Sequence, residues 1–474
     1  MSKPLYCEIP FYSLESLCHG FQGQALVIWL DSADHHTPLA DRNRYSYLAI
    51  DPAMILMSEQ GRVTRSGNYV GTDAFAALKQ ELSYFKLDYQ TGLPPFQTGV
   101  AGYWAYDLVH YLEPIPFPQQ QDMPYPEMMV GFYDLIIAAD HFTQRMWIIS
   151  SGYPETNEKH RLARAQKRLS WLKAHLMLVP PVGKPTIPSE SSPHKIISNC
   201  EREEYEIMVD RVIEYIRAGD IFEANLSQRF STQLPKNYSY FDLYRHLRKI
   251  NAAPFAAYIQ FNDRVIASAS PERFLKLVER CVETRPIKGT HKRHPDPVID
   301  QMYANQLLSS EKDRAENIMI VDLMRNDLSK VCQDESVKVT QLCGLETFKA
   351  VHHLVSVIVG KLRDDVTTVD LLQAAFPGGS ITGAPKIRAM QIIAELEPHR
   401  RGPYCGNIGY ISFHGDMDTS IVIRTFVGKG NVISFHGGGA IVIDSDPHTE
   451  YQETCTKTHA LQQALLNTMR TQNA

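Results

Sequence analysis

Lys288 stands in the segment Thr284-Arg285-Pro286-Ile287-Lys288-Gly289-Thr290, an amine one residue ahead of a Gly-Thr turn and just after a predicted strand. A free lysine has a pKa of about 10.4 and is a poor nucleophile near neutrality. Burial in an apolar site, or a neighbouring cation, would lower that value and expose the amine lone pair. Arg285 lies three residues earlier, but strand alternation places it on the opposite face, so it is not expected to be that cation. Spacing alone leaves a surface lysine at a strand end as the plainer reading.

Two pairs of carboxylates sharpen the picture. Asp313 and Glu316 fall in a helical pattern at i and i+3 and share a face. Near the C-terminus Asp446 suits an N-cap and Pro447 the first helical position, and Glu450, Glu453 and Lys457 follow along one stripe. Mg²⁺ is usually held by one or two carboxylates, with water and substrate oxygens completing its shell. Two such helices face to face would hold a divalent cation and an anionic substrate beside the lysine. Either pair taken alone reads as a solvated face making ordinary ion pairs.

Other segments offer supporting chemistry. Residues 377–386, Pro-Gly-Gly-Ser-Ile-Thr-Gly-Ala-Pro-Lys, read as a loop leading into a helix at Pro385, with amides free to bind an anion. It is no Walker loop, because Ala384 follows Gly383 where that motif has Lys. A tight connection without a ligand fits equally well. Gly437-Gly438-Gly439 is expected to join two strands and to let a ligand approach the backbone, or to form a bulge. His352 and His353 begin an alternating apolar run, so at most one of them faces a site. Arg424, inside a predicted strand at 421–427, needs an anionic partner if buried, either a substrate carboxylate or a structural acid.

These groups must be positioned by the rest of the chain. Its 474 residues can bury a large core, and a formal charge of −5 from 48 basic and 53 acidic side chains leaves no global basic field for nucleic acid or anionic membrane. Eight cysteines (7, 18, 200, 281, 332, 343, 405 and 455) show no Cys-x-x-Cys pair, and reduced thiols in a cytoplasmic protein fit best. The N-terminus lacks an apolar signal core, and the run 25–30 is too short to span a bilayer. Clustered Pro and Ser near 180–193 mark a connector. They divide the chain into an N-terminal region, 1–185, a linker, 186–198, and a C-terminal region, 199–474. Short apolar runs at 25–30, 47–50, 135–139 and 146–149 predict a mostly antiparallel sheet with helices around it. Beyond the linker, 255–261 and 264–269 flank Asn262-Asp263 as a hairpin, and strands at 408–413, 421–427, 432–435 and 440–443 mix with long helices. The pattern is α+β rather than a regular βαβ repeat.

Taken in order, the motifs closely resemble the chorismate-utilising family of anthranilate synthase component I, and within it the aminodeoxychorismate synthases. The resemblance is dense from about 201 to 457 and runs through 218–230, Ser270-Pro271-Glu272-Arg273-Phe274, the lysine segment, 312–327, His352-His353-Leu354-Val355-Ser356, 377–386 and Tyr451-Gln452-Glu453-Thr454. Before the linker Gly102-Tyr103-Trp104-Ala105-Tyr106-Asp107 is the best match. The resemblance implies two large, mostly antiparallel β-sheets packed as a sandwich with helices outside. It implies that Glu316 and Glu453 bind Mg²⁺ directly, with Asp313 and Glu450 near the metal. Tyr404, Arg424, Lys457 and the backbone at Gly438 would bind the carboxylates of chorismate, and Gly289, Thr290 and Ser380 would line the pocket. Lys288 would add to ring carbon 2 as the 4-hydroxyl leaves, with Glu272 as general acid and His353 nearby. Ammonia would then attack carbon 4, expel the lysine and give 4-amino-4-deoxychorismate, on the way to 4-aminobenzoate and folate.

Within this family the lysine decides the product. Anthranilate synthases typically carry Ala at the position of Lys288, and isochorismate and salicylate synthases typically carry Lys where this chain has Glu223. Two departures stand out: Ala440 replaces a usual glycine, and Glu223 replaces a frequent Gln. No cysteine has the setting of a glutamine-hydrolysing nucleophile, so the resemblance implies a separate glutamine amidotransferase subunit. The rival readings are an anthranilate synthase component I and, from another class, a non-catalytic subunit that binds tryptophan or chorismate.

Overall fold

Period-two burial builds the sheets. In the strand Leu135–Asp140, Leu135, Ile137 and Ala139 enter one apolar core while Ile136 and Ala138 enter another. The neighbouring strand Arg145–Ser150 repeats this, with Met146 and Ile148 on one side and Trp147 and Ile149 on the other. Strands buried on both faces must lie between two layers.

A computed structural model describes residues 3–34, 42–186, 195–235, 238–348 and 351–470. Among them the strands form two twelve-stranded sheets. The first runs from Leu5–Ile9 at one edge, through Val27–Asp31, Phe255–Phe261, Arg264–Ser270, Thr425–Lys429 and Val432–Ile441, to Glu223–Gln233 and Ile197–Ser198. The second runs from Ile287–Lys292 and Val351–Lys361, through Arg273–Val278, Met417–Ile421 and Asn407–Ser412, to Gly99–Trp104 and beyond. One core lies between the sheets, where Ile28, Ala257 and Ile266 meet Ala101, Tyr103 and Tyr410. Helices cover the outer faces: Glu158–Leu176 and Tyr240–Ile250 on the first, Ala74–Ser83, Glu311–Ser329 and Thr368–Ala375 on the second. This is the α+β sandwich of two antiparallel sheets that the resemblance implies. No described helix is long and apolar enough to cross a membrane.

The boundary expected at 186–198 does not divide the sheets, and its last residues, Ile197–Ser198, are themselves a strand of the first sheet. Val27–Asp31 pairs antiparallel with Phe255–Phe261, and Gly99–Trp104 with Asn407–Ser412, so strands from either side of it are neighbours in both sheets. Residues 187–194 of the linker lie outside the described residues. The hairpin at Asn262-Asp263 forms where expected, with Asn262 at a φ of 49°.

Two strand expectations are corrected. The strand predicted at 421–427 is two strands, Met417–Ile421 in the second sheet and Thr425–Lys429 in the first, and Arg424 has a φ of 53° where the chain crosses between them. The triple glycine does not join two strands. It lies inside one strand, Val432–Ile441, paired residue by residue with Glu223–Gln233. Because the sheets are shared, Ile28→Ala, which empties part of the common core, is expected to lower the unfolding free energy by about 3 kcal/mol in a denaturant titration. All four tryptophans precede the linker. Fluorescence and far-UV circular dichroism should therefore still trace one coincident transition, and two separate midpoints would contradict the shared-sheet reading.

Candidate active site

The chain changes sheets twice at one place. Glu272 lies where it passes from Arg264–Ser270 to Arg273–Val278, and Arg424 where it passes from Met417–Ile421 to Thr425–Lys429. The crossovers are tied together: the Ile421 N–H donates to the Glu272 carbonyl at 3.1 Å, and the Ala269 N–H to the Arg424 carbonyl at 3.1 Å. At this seam opens a cavity of about 1350 Å³. Pockets for single small ligands are usually about 300–1,000 Å³, so there is room for more than one small species.

Lys288 reaches this cavity from within the strand Ile287–Lys292, not from a turn after a strand. The pairing register slips between Ile287 and Thr290, where Gly289 takes a φ of 85°. A Cβ at Gly289 would lie 3.1 Å from the Asp313 side chain, so both its conformation and its space favour glycine. The Lys288 side chain is buried, and its Nζ donates to Glu223 Oε1 at 2.8 Å. Burial pulls the ammonium down, as anticipated, but Glu223, Glu316 and Glu272 together outweigh it and hold Lys288 above its ordinary pKa. At rest the amine is the cationic half of an ion pair, which corrects the expectation of a depressed pKa.

Glu272 is also buried, and the Ser380 hydroxyl donates to its Oε1 at 2.7 Å. Burial pushes its carboxyl up to about 7, against the pull of Ser380 and Lys288. A carboxyl titrating near neutrality is suited to give and retake a proton. His353 lines the cavity with its Nδ1 2.8 Å from Thr290 Oγ1, and burial and Arg424 push it down to about 4, so it is neutral. His352 points away to Asp300 and Thr347, as strand alternation requires.

Asp313, Glu316 and Glu453 line the same cavity. The first two project from the helix Glu311–Ser329, and the third from Pro447–Arg470, whose cap forms as predicted with the Thr449 N–H donating to Asp446. Burial pushes Glu316 up to about 7, with Lys288 opposing and Glu223 adding to the rise. Burial alone would raise Glu453 too, but Lys457, whose Nζ is 2.6 Å away, holds it below the usual range. Glu450 is not in the cavity wall. It is buried behind it, accepting from Ser445 at 2.6 Å and from Lys312 at 3.4 Å, and its Oε2 has no hydrogen-bond partner. The glycine strand lets this helix approach: a Cβ on Gly437 would lie 2.5 Å from the Thr454 carbonyl, and one on Gly439 3.2 Å from Glu450 Oε2 and 3.4 Å from Glu453 Oε1. Ala440 is not among the residues of positive φ, so its methyl is accommodated in extended backbone.

Among the described residues no three His, Cys, Asp or Glu side chains close on a point to cage a cation. The donors that are present still suit Mg²⁺, which takes hard oxygens, needs only one or two carboxylates and keeps places for water and substrate. The orphaned Glu450 oxygen and the raised Glu316 are carboxylates that a cation would satisfy.

Cationic and polar groups line the same cavity. Arg424 donates to the Lys457 carbonyl and forms no ion pair among the described residues; burial pulls its guanidinium down. Of the two partners expected for it, the structural acid is absent among the described residues. Lys457 Nζ also donates to the Gly438 carbonyl at 2.9 Å, and Tyr404 lies against Gly438 and stacks on His436 at 4.5 Å with planes 5° apart. Sequence reasoning missed His436 and the buried Glu397–Arg401 pair, which grips the Ser227 amide and the Asn225 carbonyl beneath the cavity. It also missed the partner of Lys288. A glutamate among Ile221, Ala224 and Leu226 was a signal, because a buried carboxylate requires a cation.

The family described as chorismate binding enzyme matches residues 27–463. The chain belongs to that family. Among its relatives, aminodeoxychorismate synthase component 1 of Klebsiella aerogenes is 40% identical over 465 residues, covering 97% of this chain and 96% of the relative. The protein of the same name from Escherichia coli is 44% identical over 77% of each chain. Anthranilate synthase component 1 of Thermus thermophilus is 38% identical over 90% of this chain and 89% of its own length. Among solved structures, anthranilate synthase component I of Streptococcus pneumoniae superposes with a TM-score of 0.78 at 32% identity, covering 90% of this chain and 92% of that one. Membership in the chorismate binding enzymes gives the chain a substrate class, chorismate, an enol-ether dicarboxylate.

Glu272 supplies a direct test. Its carboxylic C=O band in difference infrared spectra, identified by its loss in Glu272→Gln, should be present at pH 6 and fade through about pH 7. Ser380→Ala removes a donor to the charged form and should move that midpoint upward. A band already absent at pH 6 would contradict the assignment.

Proposed function

We propose that this chain converts chorismate and ammonia to 4-amino-4-deoxychorismate through a covalent adduct on Lys288. The observation that carries the reading is a buried primary amine in a cavity between two carboxylate-bearing helices, with a near-neutral acid, Glu272, in the same wall. Relatives named aminodeoxychorismate synthase component 1 support the same product.

In this reading Arg424, Lys457 and Tyr404 hold the substrate carboxylates, with Gly438, Gly289, Thr290 and Ser380 shaping the pocket around the ring. Glu316 and Glu453, with Asp313 and Glu450 in support, would hold Mg²⁺, which when bound would supply positive charge toward a substrate carboxylate. The Lys288 amine forms a bond to ring carbon 2, both conjugated ring double bonds shift by one position, and the bond from carbon 4 to its hydroxyl breaks. Protonated Glu272 gives its proton to that hydroxyl, which leaves as water. Ammonia then bonds to carbon 4, both double bonds shift back, and the amine of Lys288 leaves. Glu272 takes the surplus proton from the new ammonium, and His353, neutral, offers a hydrogen bond nearby. Two easy displacements replace one difficult one.

The "component 1" in the relatives' names supports a second component, which we infer to be a glutamine amidotransferase that supplies ammonia. Burial pushes the thiols of Cys200 and Cys332 up to about 11 and Cys405 up to about 12, the opposite of activation. All eight cysteines are free, which suits a reducing cytoplasm.

Mass spectrometry of the products formed from chorismate, Mg²⁺ and ammonium is the test of this reading. The expected product is 4-amino-4-deoxychorismate, aromatised only after a lyase is added, and anthranilate formed directly would establish the rival reading. Lys288→Ala should cut the 4-amino product by more than about 1,000-fold while chorismate still binds. In calorimetric titrations, Glu316→Gln and Glu453→Gln should each weaken Mg²⁺ binding by more than about tenfold. Unchanged Mg²⁺ affinity would remove these residues from the metal site.

A further inference from the structure

Resting on the covalent reading above, the structure carries one step further, to the proton that Lys288 must lose before it can attack. An ammonium has no lone pair, and the group holding this one is Glu223. Its Oε1 accepts from Lys288 Nζ at 2.8 Å, while its Oε2 is buried without a hydrogen-bond partner. Glu223 is wholly inaccessible to solvent and is absent from the cavity wall. It lies behind the lysine. Its backbone is fixed by pairing with Ala384, and the next residue, Ala224, pairs with Gly383 on one side and Ile441 on the other. The other charges facing the amine are also acidic, Glu316 from the helix 311–329 and Glu272 from the crossover, with Glu453 contributing from the C-terminal helix. Of these, Glu272 is needed as the acid for the leaving hydroxyl, and Glu316 and Glu453 face the metal position.

We propose that Glu223 is the internal proton acceptor for Lys288, taking one proton from the ammonium before attack on the ring and returning it when the amine is released. The transfer turns an ammonium–carboxylate pair into an amine and a carboxylic acid, with no change in net charge and no exchange with solvent. The amine then bonds to carbon 2 as the hydroxyl departs with the proton of Glu272. When ammonia has displaced the lysine, the free amine retakes its proton from Glu223. Protons balance over the cycle, and the sum is chorismate plus ammonia giving 4-amino-4-deoxychorismate plus water. Filling of the cavity favours the transfer, because a charge pair loses more than a neutral pair when water is excluded.

The test compares kcat and KM for the full chain across pH 6–9.5, at saturating Mg²⁺ and constant free ammonia, for wild type, Glu223→Gln and Glu223→Asp. With an internal acceptor, proton loss from Lys288 adds no pH dependence to the wild-type rate. In Glu223→Gln the proton must go to solvent, so kcat should fall about 100-fold at the acid end, rise by up to tenfold per pH unit and approach wild type at alkaline pH. KM for chorismate should stay within about twofold, because Glu223 does not touch the cavity. Glu223→Asp, which keeps a carboxylate, should keep the wild-type profile at a reduced rate. A Glu223→Gln profile parallel to wild type, whether displaced or not, would overturn the proposal and leave Glu223 a structural counter-ion. A wild type that makes no 4-amino product would instead overturn the covalent reading, and this proposal with it.

Discussion

A cation removed from water must be answered by negative charge, and the site is organised around that requirement at Lys288. Its ammonium is buried, paired with one carboxylate and surrounded by three more drawn from separate parts of the chain. Separately, these acids would be expensive to bury. Together with Lys288, Lys312 and Lys457 they share the cost, and what stays unsatisfied, the raised Glu316 and the orphaned oxygen of Glu450, is an acidic excess that a divalent cation would relieve.

The two-sheet architecture makes this possible. Glu223 and the glycine strand belong to the first sheet and Lys288 to the second, while Glu272 and Arg424 sit on the two chain crossings between them. The amine, its acceptor, the acid and the guanidinium therefore meet only when both sheets are assembled. The N-terminal region contributes neighbours to both sheets and so supports a cavity to which it adds little wall. Close approach does the rest: the glycines at 437–439 bring the C-terminal helix against the strand, and Gly289 admits Asp313.

Much of this was legible in the sequence because its signals are local. The period-two strands, the hairpin at Asn262-Asp263, the Asp446 cap and the shared face of Asp313 and Glu316 each follow from residues a few positions apart. Lys288 as the focal residue, and all but Glu450 of the expected site set in one cavity wall, follow from motif order. What was missed depends on distant pairing. The strand break at Arg424 reflects a change of sheet, which no local pattern announces. The single strand through the triple glycine reflects its partner, Glu223–Gln233, some two hundred residues earlier. The elevated pKa of Lys288 reflects carboxylates that arrive from elsewhere, so burial read alone gave the wrong sign.

The central claim is that the Lys288 nitrogen becomes bonded to the substrate ring. Peptide mapping by mass spectrometry, after incubation with chorismate and Mg²⁺ but without ammonia and an acid quench, reads this directly. A peptide containing residue 288 that gains the mass of chorismate less water, and reverts when ammonia is added before quenching, is the predicted result. An unmodified Lys288 peptide in enzyme that turns over once ammonia is supplied would contradict it.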